Sequence, residues 1–329
     1  MSEQHKAEDD DLKTGLKTGF DRVYRREIEP HLDKLEHKRQ RRVRSFYLRI
    51  AVVGIFVAAG AAAVMSFELY RDYTFVVPVL FAAAVVVGYI AISAPARKQR
   101  EEVKDLVIGP ICDFLGELAY ERKPSSHQPD PDRFEDLGVV PQHSRTRLED
   151  RFTGRYRDTG FQMVEARLRT GGKNKRTVFR GLLFDIEVPK PFSGHVLMIG
   201  DKGVLGNTIT GFFKEKFGGL ERIELGGAFE ERYQVFTDTP EAARSLLSPG
   251  FQDTMVALAE AADRKALNAA MAEGRFLLAL PQRKDLFEIG KLHRSLEHFK
   301  EDVDTLMFQI TIPHRVIDFL HGDRPSLLA

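Results

Sequence analysis

The sequence predicts an α+β protein: a two-helix transmembrane hairpin with flanking cytoplasmic helices, then a mixed, mainly antiparallel sheet domain with helices. Three observations predict it. Two apolar runs near the N-terminus, 50–67 and 74–94, hold no Asp, Glu, Lys or Arg. Beyond residue 145, stretches of period-two alternation come first and stretches of helical spacing follow, the order of an α+β chain rather than a doubly wound one. No strand-like run is followed by a glycine-rich loop opening a helix, so dinucleotide binding has no support.

Composition narrows the function classes. A chain of 329 residues holds about two domains. It is 43% apolar and 29% charged, enough to bury a core. Lys and Arg number 49 against 48 Asp and Glu, a net charge of +1. That balance argues against a nucleic-acid binder, which carries a basic excess. The single cysteine, Cys112, excludes an internal disulfide and any multi-cysteine zinc site.

Residues 1–49 read as a cytoplasmic amphipathic, basic helical segment. Leu16, Phe20, Val23, Ile28, Leu32 and Leu35 follow three-four spacing, interrupted at Pro30, where the helix is expected to divide. Residues 50–94 read as the hairpin, with spans 50–67 and 74–94. At about 1.5 Å per residue these measure roughly 27 and 31 Å, against a bilayer core of about 30 Å. Glu68 to Tyr73 is too short a connection for anything but an antiparallel pair. Lys38, Arg39, Arg41, Arg42 and Arg44 flank the first span, Arg97, Lys98 and Arg100 follow the second, and the loop holds Arg71 alone. This asymmetry predicts a multi-pass protein of the bacterial inner membrane with both termini cytoplasmic. Neither run carries an ionisable group, so the hairpin reads as an anchor rather than a conduit. Gly54, Ala58 and Ala62, and Ala84 and Gly88, recur every fourth residue; they read equally as helix-packing positions or as the ordinary alanine content of spans.

Residues 95–122 read as a cytoplasmic stalk helix, with Val103, Leu106, Val107, Ile111, Phe114, Leu115 and Leu118 on one face, packed on the first flanking helix. Residues 123–144 hold four prolines and read as a linker. Residues 145–329 form the cytosolic α+β domain. Within it, 161–169 and 177–188 make a hairpin around the turn 171–175, and 195–199 and 230–236 are further strands. Thr239-Pro240 and Ser248-Pro249 open helices over 242–247 and 251–262. Strands follow at 267–271, 275–280 and 286–289, then a helix from about Leu292, broken at Pro313.

Several of these segments carry a resemblance. TVFRGLLFDIEVPKPFSG at 177–194, FEERYQVFTDTPEAARSLLSPGF at 229–251 and DLFEI at 285–289, behind two N-terminal spans, resemble the bacterial membrane family catalogued as domain of unknown function 3137. The match covers most of the chain from the spans onward. It implies a topology and a domain, and no catalytic residue to carry over.

Site chemistry is sparse. The sequence 171–175, GGKNK, lacks the spacing of a phosphate-binding loop and reads as a hairpin turn. His293 and His298 are five apart rather than four, and His195 has no recognisable partner, so no metal site is expected. Cys112, among apolar neighbours, reads as a small hydrophobe. Asp201, Asp238, Glu241, Asp285 and Glu288 fall near turns and read as caps. No cofactor is expected, and the chain leans away from an enzyme. The expected function is a membrane-anchored cytosolic binding or scaffold module. Its partners are the lipid bilayer and a protein, or a second copy met through the spans or stalk, and not nucleic acid. The alternatives are an enzyme with a dispersed active site and an accessory subunit of a membrane transport complex.

Overall fold

The computed structural model describes residues 19–66, 82, 85, 98–99, 101–172, 175–189, 192–200, 217–261, 267–282 and 298–321. It divides into two compact units. One comprises Met1–Phe20, Cys112–Leu286 and Leu306–Ala329; the other comprises Asp21–Ile111 and Phe287–Thr305.

The second unit is helical. A single-turn π-helix at Tyr24–Ile28 runs directly into α1, Glu29–Ser66. Pro30 therefore does not divide the helix. Its ring would crowd the carbonyl four residues back, and the wider turn ahead of it absorbs the misfit: the Glu29 N–H donates to the Tyr24 carbonyl, five residues back. Helix α2, 101–115, buries Val103, Val107, Ile108 and Ile111. Arg42 on α1 donates to Gln99 Oε1 at 2.5 Å and to Glu102 Oε1 at 2.6 Å, and Lys38 reaches Glu102 at 3.5 Å. The Arg42 guanidinium holds the Glu102 carboxyl below the usual range. Lys300 sits 2.6 Å from Asp21 and lies over the Tyr24 ring.

Among the described residues, no helix is long and apolar enough to cross a membrane. This corrects the expected two-helix transmembrane hairpin and the multi-pass inner-membrane placement that rested on it. The apolar run from Ile50 is not a separate span; it is the last part of α1, which begins among charged residues at Glu29. From Ile50 to Ser66 that helix rises only about 25 Å, short of a bilayer core of about 30 Å. The run 74–94 lies outside the described residues apart from Ala82 and Val85.

The first unit is built on one sheet of nine strands, and every paired neighbour is antiparallel. In chain order its elements are β1 (Leu118–Glu121), α3 (Pro131–Asp136), β2 (Arg145–Tyr156), β3 (Thr159–Arg169), β4 (Thr177–Glu187), β5 (His195–Gly200) and β6 (Glu221–Ile223). They continue with α4 (Gly227–Glu230), β7 (Tyr233–Thr237), α5 (Pro240–Leu246), α6 (Pro249–Ala261), β8 (Asn268–Ala272) and β9 (Arg275–Pro281). Helices α7 (Phe299–Ile310) and α8 (Ile312–Leu320) follow. The spatial order is β1-β2-β3-β4-β9-β8-β5-β7-β6. The expected α+β class with a mainly antiparallel sheet stands. The expected strand 286–289 lies outside the described residues.

Alternation along the strands gives the sheet two buried faces. On one, Val164, Ala166, Leu168, Leu183, Leu197, Leu277 and Ala279 pack with Phe134, Val139 and Val140 from α3 and the turn after it. On the other lie Met163, Phe184, Ile186, Phe276 and Leu278, all essentially inaccessible. Helix α8 lies against β3, β4 and α6, and the Phe251 ring of α6 meets Phe276 edge-on at 5.9 Å. Burying a phenyl ring of this kind contributes about 2 kcal/mol. In β4, Gly181 has φ +156, and a Cβ there would fall 2.0 Å from the Leu280 carbonyl oxygen. Only glycine lets β4 and β9 pair at that point.

Candidate functional site

Two features of the described residues carry chemistry. The first is the C-terminal half of α1. Tyr47 (59% exposed), Leu48 (67%), Ile50, Val52 and Ile55 (67%) leave large apolar side chains in solvent, with Ala51 and Ala58 exposed beside them. Gly54 is exposed as well, and a Cβ there would meet nothing within 4 Å. Water disfavours so much uncovered hydrocarbon on one helix, and patches of this kind mark binding surfaces.

The second feature is a group of potential metal ligands: Asp132 and Glu135 on α3 and His143 beyond it, with one ligand atom from each lying within 4.8 Å of the others. Local sequence places them. Asp130 caps α3 by accepting from the Asp132 N–H at 3.1 Å, and Pro131 occupies the first helical position. The helix stops at Gly138, whose φ of +79 suits glycine, and the chain turns back so that Val139 and Val140 enter the core. The His143 N–H then donates to Glu135 Oε2 at 3.0 Å.

The sequence-predicted residues scatter between these features. Lys38, Arg41, Arg44 and Lys98 are exposed, and Arg39 is half-buried and paired to Glu36 at 2.6 Å. Arg42 is half-buried against Gln99 and Glu102. Gly54 and Ala58 lie on the exposed side of α1; Ala62 lies in α1. Ala84, Gly88, Arg97 and Arg100 lie outside the described residues, as do Asp201, Asp285, Glu288 and His293.

Asp238 acts as a turn cap, accepting from the His195 N–H at 2.7 Å and the Thr239 hydroxyl at 3.2 Å. His195 is half-buried against Phe217; burial pushes its pKa down, partly offset by Asp238. Burial pushes the Cys112 thiol up to about 11, with Asp113 adding to the effect, which leaves little thiolate near neutrality.

The Asp132, Glu135 and His143 group escaped sequence reasoning because its members are split between a six-residue helix and the loop after it. The legible signal was an acidic pair three apart behind an Asp-Pro helix start, with a histidine eight residues on.

The first unit is thus a single antiparallel sheet with helices on its faces. Residues 177–321 match the model of the family described as "Protein of unknown function (DUF3137)". No curated protein matches the chain. Among solved structures, the chain is similar to the crystal structure of the mycobacterial trehalose monomycolate transport factor A, TtfA. The identity is 10%, the coverage 61% of this chain and 88% of that one, and the TM-score 0.30, a level at which the likeness carries no argument.

Proposed function

We propose that the protein is a non-enzymatic binding or scaffold module that associates with a second copy of itself through the exposed apolar side of α1. The observation that carries this reading is the stripe of Tyr47, Ala51, Ile55 and Ala58, exposed at helical spacing along one side of α1 with Leu48 beside it. Two further observations favour a second copy as the occupant. Gly54 and Ala58 leave the helix surface low, so that an identical helix can approach closely, and one patch can serve both partners about a two-fold axis. The net charge of +1 leaves little repulsion between copies.

Light scattering after size exclusion on the full chain tests the proposal. Wild type is expected to run as a dimer or larger assembly, and Ile55→Glu to weaken association by about tenfold, the effect of charging one well-buried interface position. A monomeric wild type overturns the reading, as does an assembly unchanged by Ile55→Glu. It is overturned too if vesicles of phosphatidylcholine and phosphatidylglycerol take up the wild type in place of self-association.

A further inference from the structure

We infer that Asp132, Glu135 and His143 form a binding site for one divalent transition-metal ion, with Zn2+ as the natural probe. The His143 side chain is 1% exposed, and neither ring nitrogen makes a hydrogen bond. A buried ring with two polar atoms left over is costly unless something else satisfies them. Both nitrogens face carboxylates: Nδ1 lies 2.8 Å from Glu135 Oε2 and Nε2 lies 3.3 Å from Asp132 Oδ1, neither aligned as a donor–acceptor pair.

A single ion takes one of the two nitrogens, and one ligand atom from each of the three residues lies within 4.8 Å of the others, near enough for the exposed Asp132 side chain to swing in. Ligand atoms about 2.1 Å from a tetrahedral metal stand about 3.4 Å from one another. One imidazole nitrogen and two carboxylate oxygens make a three-residue donor set, and a 2+ ion neutralises the two negative charges. The site is open on one side, because the Asp132 side chain is 81% exposed, so water can complete the coordination. Imidazole is a poor ligand for hard cations, so the donor set selects zinc-like ions over Mg2+ and Ca2+. Glu135 also fixes the loop through the His143 N–H, which holds the ring in place before any ion arrives.

The test is calorimetric titration of chelator-treated full chain with Zn2+, with Mg2+ as a control. One Zn2+ per chain is expected, with Mg2+ not competing. Asp132→Asn is the deciding variant, because an exposed side chain can be changed without loss of the fold. A fivefold or greater weakening in Asp132→Asn supports the site, and a smaller change overturns it. His143→Gln is expected to weaken binding similarly while near-ultraviolet circular dichroism stays native. Absence of Zn2+ binding by wild type overturns the inference outright and leaves the group a charge cluster.

Discussion

Single side chains of the sheet unit show how burial sets pH behaviour. His314 on α8 is buried between the rings of Tyr156 and Phe161, at 4.8 and 5.2 Å. Burial pushes its pKa down to about 4; Asp318 on the same helix opposes the shift and Arg315 adds to it. The unfolded chain takes up a proton near pH 6.5, whereas the native ring resists until about pH 4, so the unfolded state binds more protons between those values. Stability is therefore full above pH 6.5 and is lost as pH falls toward 4, by about 3 kcal/mol for a shift of this size. The thermal midpoint of wild type is expected to fall between pH 7.5 and 5 by more than that of His314→Leu, which has no ring to charge. Equal falls would remove His314 from the account. Asp318, fully buried, meets Arg157 Nη1 at 3.1 Å, and His321 meets the Thr159 hydroxyl at 2.9 Å; both contacts tie α8 to the turn between β2 and β3.

Elements differ in how plainly the sequence announces them. The β3–β4 hairpin was legible because both strands alternate and GGKNK separates them, and the helix starts at Pro240 and Pro249 were legible from the hydroxyl-proline pairs. Strand β1 was not. Leu118 continues the helical spacing of α2, and only the positive φ of Gly116 and Glu117, +65 and +40, turns the chain into the sheet. Strand β2, RTRLEDRFTGRY, is too charged to show an apolar period, and a bulge between Glu149 and Phe152 shifts its register. The membrane hairpin failed as an expectation because local hydropathy does not show that the run from Ile50 continues a helix begun among charged residues at Glu29. The bulge has its own role: it aims the buried Arg151 at Glu121 (2.5 Å), Ser126 Oγ (2.6 Å) and the Gln128 carbonyl (3.2 Å). One planar fork thus clamps β1 and the chain after it. Arg151→Lys, which lacks the fork, is expected to raise amide hydrogen exchange across 118–128 by about tenfold while β3, β4 and β9 keep their protection. Unchanged exchange would show that the clamp contributes nothing.

At the scale of the whole molecule, the family match and the folded sheet have different boundaries. The matched residues 177–321 begin at β4 and leave out β1, β2 and β3, yet β4 pairs with β3 from Phe161↔Ile186 to Arg169↔Thr177. A fragment of 177–321 would keep the pairing of β4 with β9 but leave the edge that faces β3 long, apolar and open. It is expected to aggregate on expression to a greater extent than the full chain under the same conditions; a monodisperse fragment with native circular dichroism would refute this. The intact sheet finishes differently. Its outer members are β1 and β6, of four and three residues, one beside the charged β2 and the other carrying Glu221 and Arg222 at its rim. Where β1 leaves 145–149 of β2 uncovered, the open backbone lies among Arg145, Arg147 and Glu149, so charge on one rim and a three-residue stub on the other discourage fibre growth by edge addition.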